Sequence, residues 1–133
     1  MRTCHHGACL CGAVRFRIEG SIGRFYLCHC RHCQKDTGSA HAANLFLADA
    51  RLDWLAGAGE VRHFALTGSR HARSFCATCG SALPWLQGNL AVVPAGSLDD
   101  PLDRRPDGHL FAASRAGWDR ELHALPSWPG LPP

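Results

Sequence analysis

The sequence has no long apolar run and no cluster of positive charge. No stretch of the 133 residues approaches the roughly 20 apolar residues that a membrane-spanning helix needs. The first residues, Met1-Arg2-Thr3-Cys4-His5-His6, hold no apolar segment, so we expect no secretory signal peptide. These absences favour a soluble chain in the reducing cytoplasm. They argue against membrane insertion and against a secreted disulfide framework.

Basic residues are few and scattered. Lysine and arginine number 14 against 11 acidic residues, which gives a net charge of +3, and Lys35 is the lone lysine. No basic stripe is present that would bind nucleic acid by charge, so we expect no nucleic-acid partner. Linkers are absent as well. We therefore expect one domain over residues 1–133, with the motifs in about 7–125 and a proline-rich tail at 125–133.

Cysteine, in contrast, is plentiful and arranged in three tight clusters. The clusters are Cys9-x-Cys11, Cys28-x-Cys30-x-x-Cys33 and Cys76-x-x-Cys79, and Cys4 stands apart from them. Close pairs that lie far apart in the chain are more typical of a split zinc site than of an iron–sulfur centre. The spacing therefore predicts zinc.

The first and last clusters share an ending, because glycine follows the final cysteine in both. At Gly12 and Gly80 such a turn needs a residue that tolerates positive φ, so that backbone amides can face the sulfurs. Four thiolates complete a tetrahedral zinc site and leave no open position. These cysteines are therefore predicted to hold a structural zinc: Cys9, Cys11, Cys76 and Cys79.

The middle cluster offers only three thiolates, and no second knuckle remains to pair with it. Three protein ligands and one open position are expected of a reactive zinc. Cys28, Cys30 and Cys33 are thus the candidate catalytic ligands. Cys4 is left over, and it completes this site, stays a free thiol, or lies on a disordered N-terminus; we favour the last.

Short alternating segments predict a mainly antiparallel β fold. Apolar residues at 14, 16 and 18 alternate with arginines, and Gly20 ends that run. The best helical candidate is Cys30–Thr37. The further strands that we expect are Ala43–Leu47, Arg51–Leu55, Val61–Leu66, Ala72–Phe75, Ala82–Leu86, Leu90–Pro94 and Leu110–Ser114.

The proline-rich tail is not expected to form regular structure, because proline removes amide donors and fixes φ. Trp118 and Trp128 are large enough to anchor the tail. We expect both to pack in the core rather than to stack on a ligand.

The cysteine motifs, together with Cys33-Gln34-Lys35-x-x-Gly38-Ser39 and Ala95-Gly96-Ser97-Leu98-Asp99, resemble those of the glutathione-dependent formaldehyde-activating enzyme and centromere protein V family. The resemblance implies a β-tent zinc fold with one structural and one exchangeable catalytic zinc. It also implies a carbon–sulfur lyase that acts on a glutathione adduct of formaldehyde or a related aldehyde.

Proton transfer in such a reaction needs a relay, and His29 within the middle cluster is the first candidate. His32, Asp36 and His41 are further candidates, although His29 can equally hold the loop and Asp36 can end a helix. The glutathione carboxylates need cations, for which the candidates are Arg15, Arg17, Arg31 and Arg73.

Two alternatives remain open. One is a zinc-stabilised binding module without catalysis. The other is a thiol-redox enzyme on the same scaffold, which requires a reactive cysteine and a resolving partner, whereas only Cys4 is spare.

Overall fold

A computed structural model describes all 133 residues and confirms a mainly β, single-domain fold with antiparallel sheets. The regular elements are β1 (Arg2–Ala8), β2 (Arg15–Cys28), α1 (Arg31–Thr37), β3 (Ala42–Ala56), β4 (Val61–Ala65), β5 (Ala72–Cys76), β6 (Ala82–Leu83), β7 (Trp85–Gln87), β8 (Leu90–Pro94) and β9 (Gly108–Leu110). Single 3₁₀ turns cover Ala58–Glu60, Ala95–Ser97, Ala112–Ser114 and Leu122–Ala124. None of the helices has the length and apolar character that crossing a membrane requires.

Two sheets carry the cysteine clusters. The larger sheet has the strand order β1-β2-β3-β8-β7, and β9 adds to it by pairing in parallel with the end of β2. The smaller sheet has the order β4-β5-β6. Since β2 ends at Cys28 and β5 ends at Cys76, each sheet delivers one cysteine cluster at a strand terminus.

The core lies between the sheets and follows the alternation of the sequence. Val14, Phe16 and Ile18 are fully buried, whereas Arg15 and Arg17 point away from the core. These side chains pack with Leu45, Leu47 and Val93 of the large sheet and with Cys76 and Leu83 of the small one. Burial of apolar area is the main force that joins the sheets, and it fixes the four-cysteine cluster at their junction.

The expectation that Cys4 lies on a disordered N-terminus is wrong. Arg2–Ala8 forms edge strand β1, in which Cys4 lies opposite Glu19 of β2. A polar edge strand is stabilised mainly by backbone hydrogen bonds, and it therefore carries little hydrophobic alternation that sequence reasoning could detect.

Several strand boundaries also differ from expectation. The strand expected to end at Gly20 is β2, and it continues to Cys28. The two strands expected within residues 43–55 form the single strand β3. Asp49 lies where a break was expected, and it adopts a left-handed φ of 50° within the continuous strand β3. In the segment expected at Ala82–Leu86, Pro84 separates β6 from β7, because proline cannot donate to a ladder.

The C-terminal expectations are partly wrong. The strand expected at Leu110–Ser114 ends at Leu110, and Phe111 adopts φ of 53° before a 3₁₀ turn. Trp118 and Trp128 do not pack in the core, since they are 63% and 53% exposed. The tail from residue 125 has no helix or strand, as expected, and its residues are all exposed.

Candidate metal-binding site

The structure brings the first and last cysteine clusters together. The four sulfurs of Cys9, Cys11, Cys76 and Cys79 lie within 4.8 Å of one another. Cys9 Sγ is 3.6 Å from Cys11 Sγ, which is in turn 4.0 Å from Cys76 Sγ. Zinc–sulfur bonds of ≈ 2.3 Å in a tetrahedron place the sulfurs about 3.8 Å apart, so this set fits a zinc ion.

Glycine shapes both knuckles as the sequence predicts. Gly12 and Gly80 adopt φ of 80° and 76°, and their amides donate to the carbonyls of Cys9 and Cys76. In addition, the Val14 amide donates to Cys9 Sγ over 3.2 Å. Amides directed at sulfur stabilise a thiolate, which is the form that binds a metal.

The thiols of this group differ in their pKa values. The Ser81 hydroxyl, aided by backbone amides, lowers the pKa of Cys79 to about 5. The Ala13 amide favours the thiolate of Cys11, but the neighbouring thiols, Cys9 foremost, outweigh it and raise the pKa of Cys11 to about 11. Adjacent thiolates repel one another, so all four ionise together only when a cation lies among them.

The middle cluster forms a second sulfur group at the start of α1. Cys28 ends β2, Cys30 is the N-cap of α1, and Cys33 lies in its first turn, with all three sulfurs within 4.8 Å of one another. The Cys33 amide donates to Cys30 Sγ over 3.3 Å.

The three sulfurs of this second group differ in acidity. Burial opposes ionisation of Cys30, yet the Cys33 amide and adjacent thiols hold the pKa of Cys30 below its usual value. Burial raises the pKa of both Cys28 and Cys33. Cys30 is therefore the thiol that ionises first.

His29 lies between Cys28 and Cys30 in the chain, and it is only 1% exposed. A hydrogen bond of 2.8 Å joins His29 Nε2 to His109 Nδ1, and the His41 ring lies 5.1 Å away. His29 Nδ1 is 3.2 Å from Asp119 Oδ2, which is ion-pair distance without the angles of a hydrogen bond. Burial, with the nearby charge of Arg115, lowers the pKa of His29.

Backbone contacts tie the same loop to the C-terminal segment. The His29 amide donates to the Leu110 carbonyl over 2.9 Å. Gln34 Nε2 donates both to the His29 carbonyl, over 2.7 Å, and to the Ser114 carbonyl, over 2.8 Å. Strand β9 and the residues just after it therefore hold the backbone that carries Cys28 and Cys30, through Leu110 directly and through Ser114 by way of Gln34.

The family of glutathione-dependent formaldehyde-activating enzymes matches residues 4–114 of the chain. The chain belongs to this family. A Halomonas elongata protein with the provisional name glutathione-dependent formaldehyde-activating enzyme is 32% identical over 125 residues, which cover 84% of this chain and 77% of that protein. A Rhodobacter sphaeroides protein of known crystal structure shares the fold, with a TM-score of 0.52 and 23% identity over 78% of this chain and 98% of its own.

Other residues singled out in this family member have partners of their own. Asp36 Oδ2 lies 2.5 Å from His71 Nε2, and Asp36 Oδ1 lies 3.8 Å from Arg73 Nε. Asp36 therefore links α1 to β5 and does not end the helix, which stops at Gly38 in a left-handed conformation. Arg17 is held by Glu19 at 2.8 Å and by Asp53 at 3.3 Å on the large sheet.

Sequence reasoning missed the residues around His29 that come from the end of the chain. His109, Arg115, Asp119 and Arg120 line a cavity of about 590 Å³. All but His109 lie beyond the region that the family matches. They belong to no motif, and their approach to the loop at His29 depends on the parallel pairing of β9 with β2, which joins distant segments.

Proposed function

We propose that this family member is a zinc-dependent enzyme of the carbon–sulfur lyase type, acting on the adduct of glutathione, or another small thiol, with formaldehyde or a related aldehyde. The observation that carries the proposal is the contrast between the two sulfur groups. One group has four sulfurs, which is enough to complete a tetrahedral zinc site, whereas the other has three, which would leave one zinc position for a substrate.

In this proposal, Cys9, Cys11, Cys76 and Cys79 hold a structural zinc at the junction of the two sheets. Cys28, Cys30 and Cys33 hold an exchangeable zinc. A zinc ion at the second site would lower the pKa of a substrate thiol and polarise an aldehyde oxygen. The β-tent description of the fold remains a prediction.

The bond changes are balanced without a further reactant. In the direction of addition, the substrate thiol loses its proton, the sulfur electron pair forms a bond to the aldehyde carbon, and the carbonyl oxygen takes up a proton. In the lyase direction the carbon–sulfur bond breaks and the aldehyde and thiol are regenerated. Cys28, Cys30 and Cys33 supply the thiolates that would hold the zinc next to the reacting thiol and aldehyde.

We assign His29 a positioning role within the site. Its ring is 1% exposed and is bound to His109, so it has no open face toward a substrate. Its burial and its tie to β9 support the hypothesis that it shapes the loop between Cys28 and Cys30. Proton transfer to the substrate oxygen is then left to solvent or to a more accessible group.

Two measurements test the proposal. Native mass spectrometry on anaerobically purified protein should find two zinc ions, one of which is lost or gains glutathione when glutathione is added. Exchange between formaldehyde and S-hydroxymethylglutathione, followed by NMR, should run above the uncatalysed rate and return to that rate in Cys30→Ser. Cys4→Ser, outside both clusters, is the matched control. Unchanged exchange in Cys30→Ser would refute the proposal.

A further inference from the structure

The C-terminal segment builds a second polar site beside the middle cysteine cluster. Its cavity of about 590 Å³ is lined by His109, Arg115, Asp119, Arg120, Glu121 and His123. His109 forms part of the wall and also binds His29, whose ring centroid is 5.0 Å away. His109 therefore connects the wall of the cavity with the loop that carries Cys28 and Cys30.

Charge in the cavity is mixed and incompletely paired. Arg115 Nε lies 3.4 Å from Asp119 Oδ2, which leaves the terminal nitrogens of this guanidinium free to bind another group. Arg120 and Glu121 line the same space, and neither takes part in an ion pair. The cavity is thus lined by one guanidinium that is partly paired, one guanidinium in no ion pair and one unpaired carboxylate, all three on exposed side chains.

A zwitterionic amino-acid group has the matching charges. A guanidinium binds a carboxylate through two parallel hydrogen bonds, and a carboxylate accepts hydrogen bonds from an ammonium group. Glu121 precedes the 3₁₀ turn of Leu122–Ala124 in the left-handed conformation, with φ of 47° and ψ of 40°. Glu121 lines the cavity together with the two arginines, so cationic and anionic groups face the same space.

Resting on the proposed function, we propose that this cavity binds the α-amino-acid end of a γ-glutamyl thiol. Arg115 and Arg120 hold its carboxylate, and Glu121 holds its ammonium group. A γ-glutamyl link puts that end about two residue lengths, or roughly 7 Å, from the sulfur-bearing residue. His109, which lines the cavity, hydrogen-bonds to His29 between Cys28 and Cys30, so the cavity lies next to the loop that would receive the sulfur end.

A smaller cavity of about 220 Å³, lined by Arg31, Lys35 and Trp118 among others, is the competing location. It contains cations but no acidic side chain. It can therefore bind a carboxylate but offers no partner to an ammonium group. The two cavities make different predictions for the same probe.

The probe is S-methylglutathione, which keeps both charged ends but has no thiol to ionise. Isothermal titration calorimetry should show binding to the wild-type protein, weakened about tenfold or more in Arg120→Gln and less in Arg120→Lys. Arg70→Gln, which changes an exposed arginine outside both cavities, should bind as the wild type does. N-acetyl-S-methylglutathione should bind weakly to the wild type, and Glu121→Gln should bind both probes with similar affinity.

Equal binding of S-methylglutathione by Arg120→Gln and the wild type would overturn the proposal. Loss of binding in Lys35→Gln alone would also overturn it, by locating the site in the smaller cavity, and so would absence of wild-type binding. The probe reports on the cavity and needs neither metal nor turnover. Arginine-dependent binding without catalysed exchange would therefore refute the proposed function alone, whereas catalysed exchange without such binding would refute this inference alone.

Discussion

His29 and His109 are joined ring to ring by a 2.8 Å hydrogen bond, although they lie 80 residues apart in the chain. His29 lies between two cysteines of the middle cluster, and His109 lies in β9, the last strand. The bond connects the C-terminal part of the chain to the loop that carries Cys28 and Cys30, and it restrains the position of that loop. Partners of this kind, which orient the residues that bind a metal, commonly change metal affinity when they are removed.

His109→Ala should therefore lower the zinc affinity of the three-cysteine site about 10- to 100-fold while the fold is retained. Titration of the zinc-loaded protein with a competing chelator measures this, because the four-cysteine site serves as an internal reference. His109→Gln should recover part of the loss, since an amide can still hydrogen-bond to His29.

The matched control is His63→Ala, which removes a histidine bonded to Ser74 on the small sheet. It should leave the affinity of the three-cysteine site unchanged. If His109→Ala weakens both metal sites equally, or neither, the contact does not act through the loop at His29.

The two sulfur groups should respond differently to the loss of one cysteine. Cys76 is fully buried at the junction of the sheets. If its cluster holds the structural zinc proposed above, Cys76→Ser should unfold the domain, because such a zinc contributes on the order of 10 kcal/mol to folding. Cys28→Ser should spare the fold and remove one metal ion. Circular dichroism melts of both variants, with zinc counted by mass spectrometry, test the assignment, and comparable melting curves would contradict it.

The cysteine clusters could be predicted from sequence because their geometry is local. The knuckles at Gly12 and Gly80 and the helix after Cys30 depend on spacing within a few residues. The two-residue alternation around Phe16 likewise records burial on one face of a strand. In each case the residues that decide the structure are near neighbours in the chain.

What could not be predicted depends on contacts between distant segments that, unlike the two Cys-Gly knuckles, share no motif. Strand β1 is polar and is held by its backbone to β2, so its side chains carry no signal. Trp118 was expected in the core on size alone, but large apolar residues also occur on surfaces. Asp119 and Arg120 line the cavity beside His109 because of the course that the chain takes after β9. No local sequence pattern encodes that course.

Gly57 should not tolerate a side chain. It adopts φ of 73°, and a Cβ atom there would lie 2.1 Å from the carbonyl oxygen of Ala13, beside the first knuckle. Gly57→Ala should therefore lower the free energy of unfolding by about 2–4 kcal/mol, measured by urea denaturation of the zinc-loaded protein.

Gly59 lies two residues later and provides the control, because a Cβ atom there meets nothing within 4 Å and its φ is not positive. Gly59→Ala should change the same free energy by less than about 1 kcal/mol. Similar losses in the two alanine variants would show that the contact with Ala13 is not the cause.

Asp107 should make stability depend on pH. Its carboxylate accepts a 2.8 Å hydrogen bond from the Phe25 amide and one of 2.9 Å from Arg104, and these contacts, the amide first, lower the pKa of Asp107 in the folded chain. A lowered folded pKa means that the unfolded chain binds the proton more readily. The stabilisation is therefore complete well above the unfolded value of about 3.9 and is lost as pH falls through the folded pKa.

Urea denaturation of the wild type and Asp107→Asn between pH 7 and pH 3 tests this dependence. The wild type should be the more stable at pH 7, and the difference should shrink below about pH 4, because Asp107 then takes up a proton in the unfolded chain before it does so in the folded one. Loss of zinc in acid affects both proteins and cancels in the comparison. Asp103→Asn, which removes an exposed carboxylate with no hydrogen bond in the structure, should show no such trend. A difference that stays constant across the range would mean that Asp107 acts by shape and not by charge.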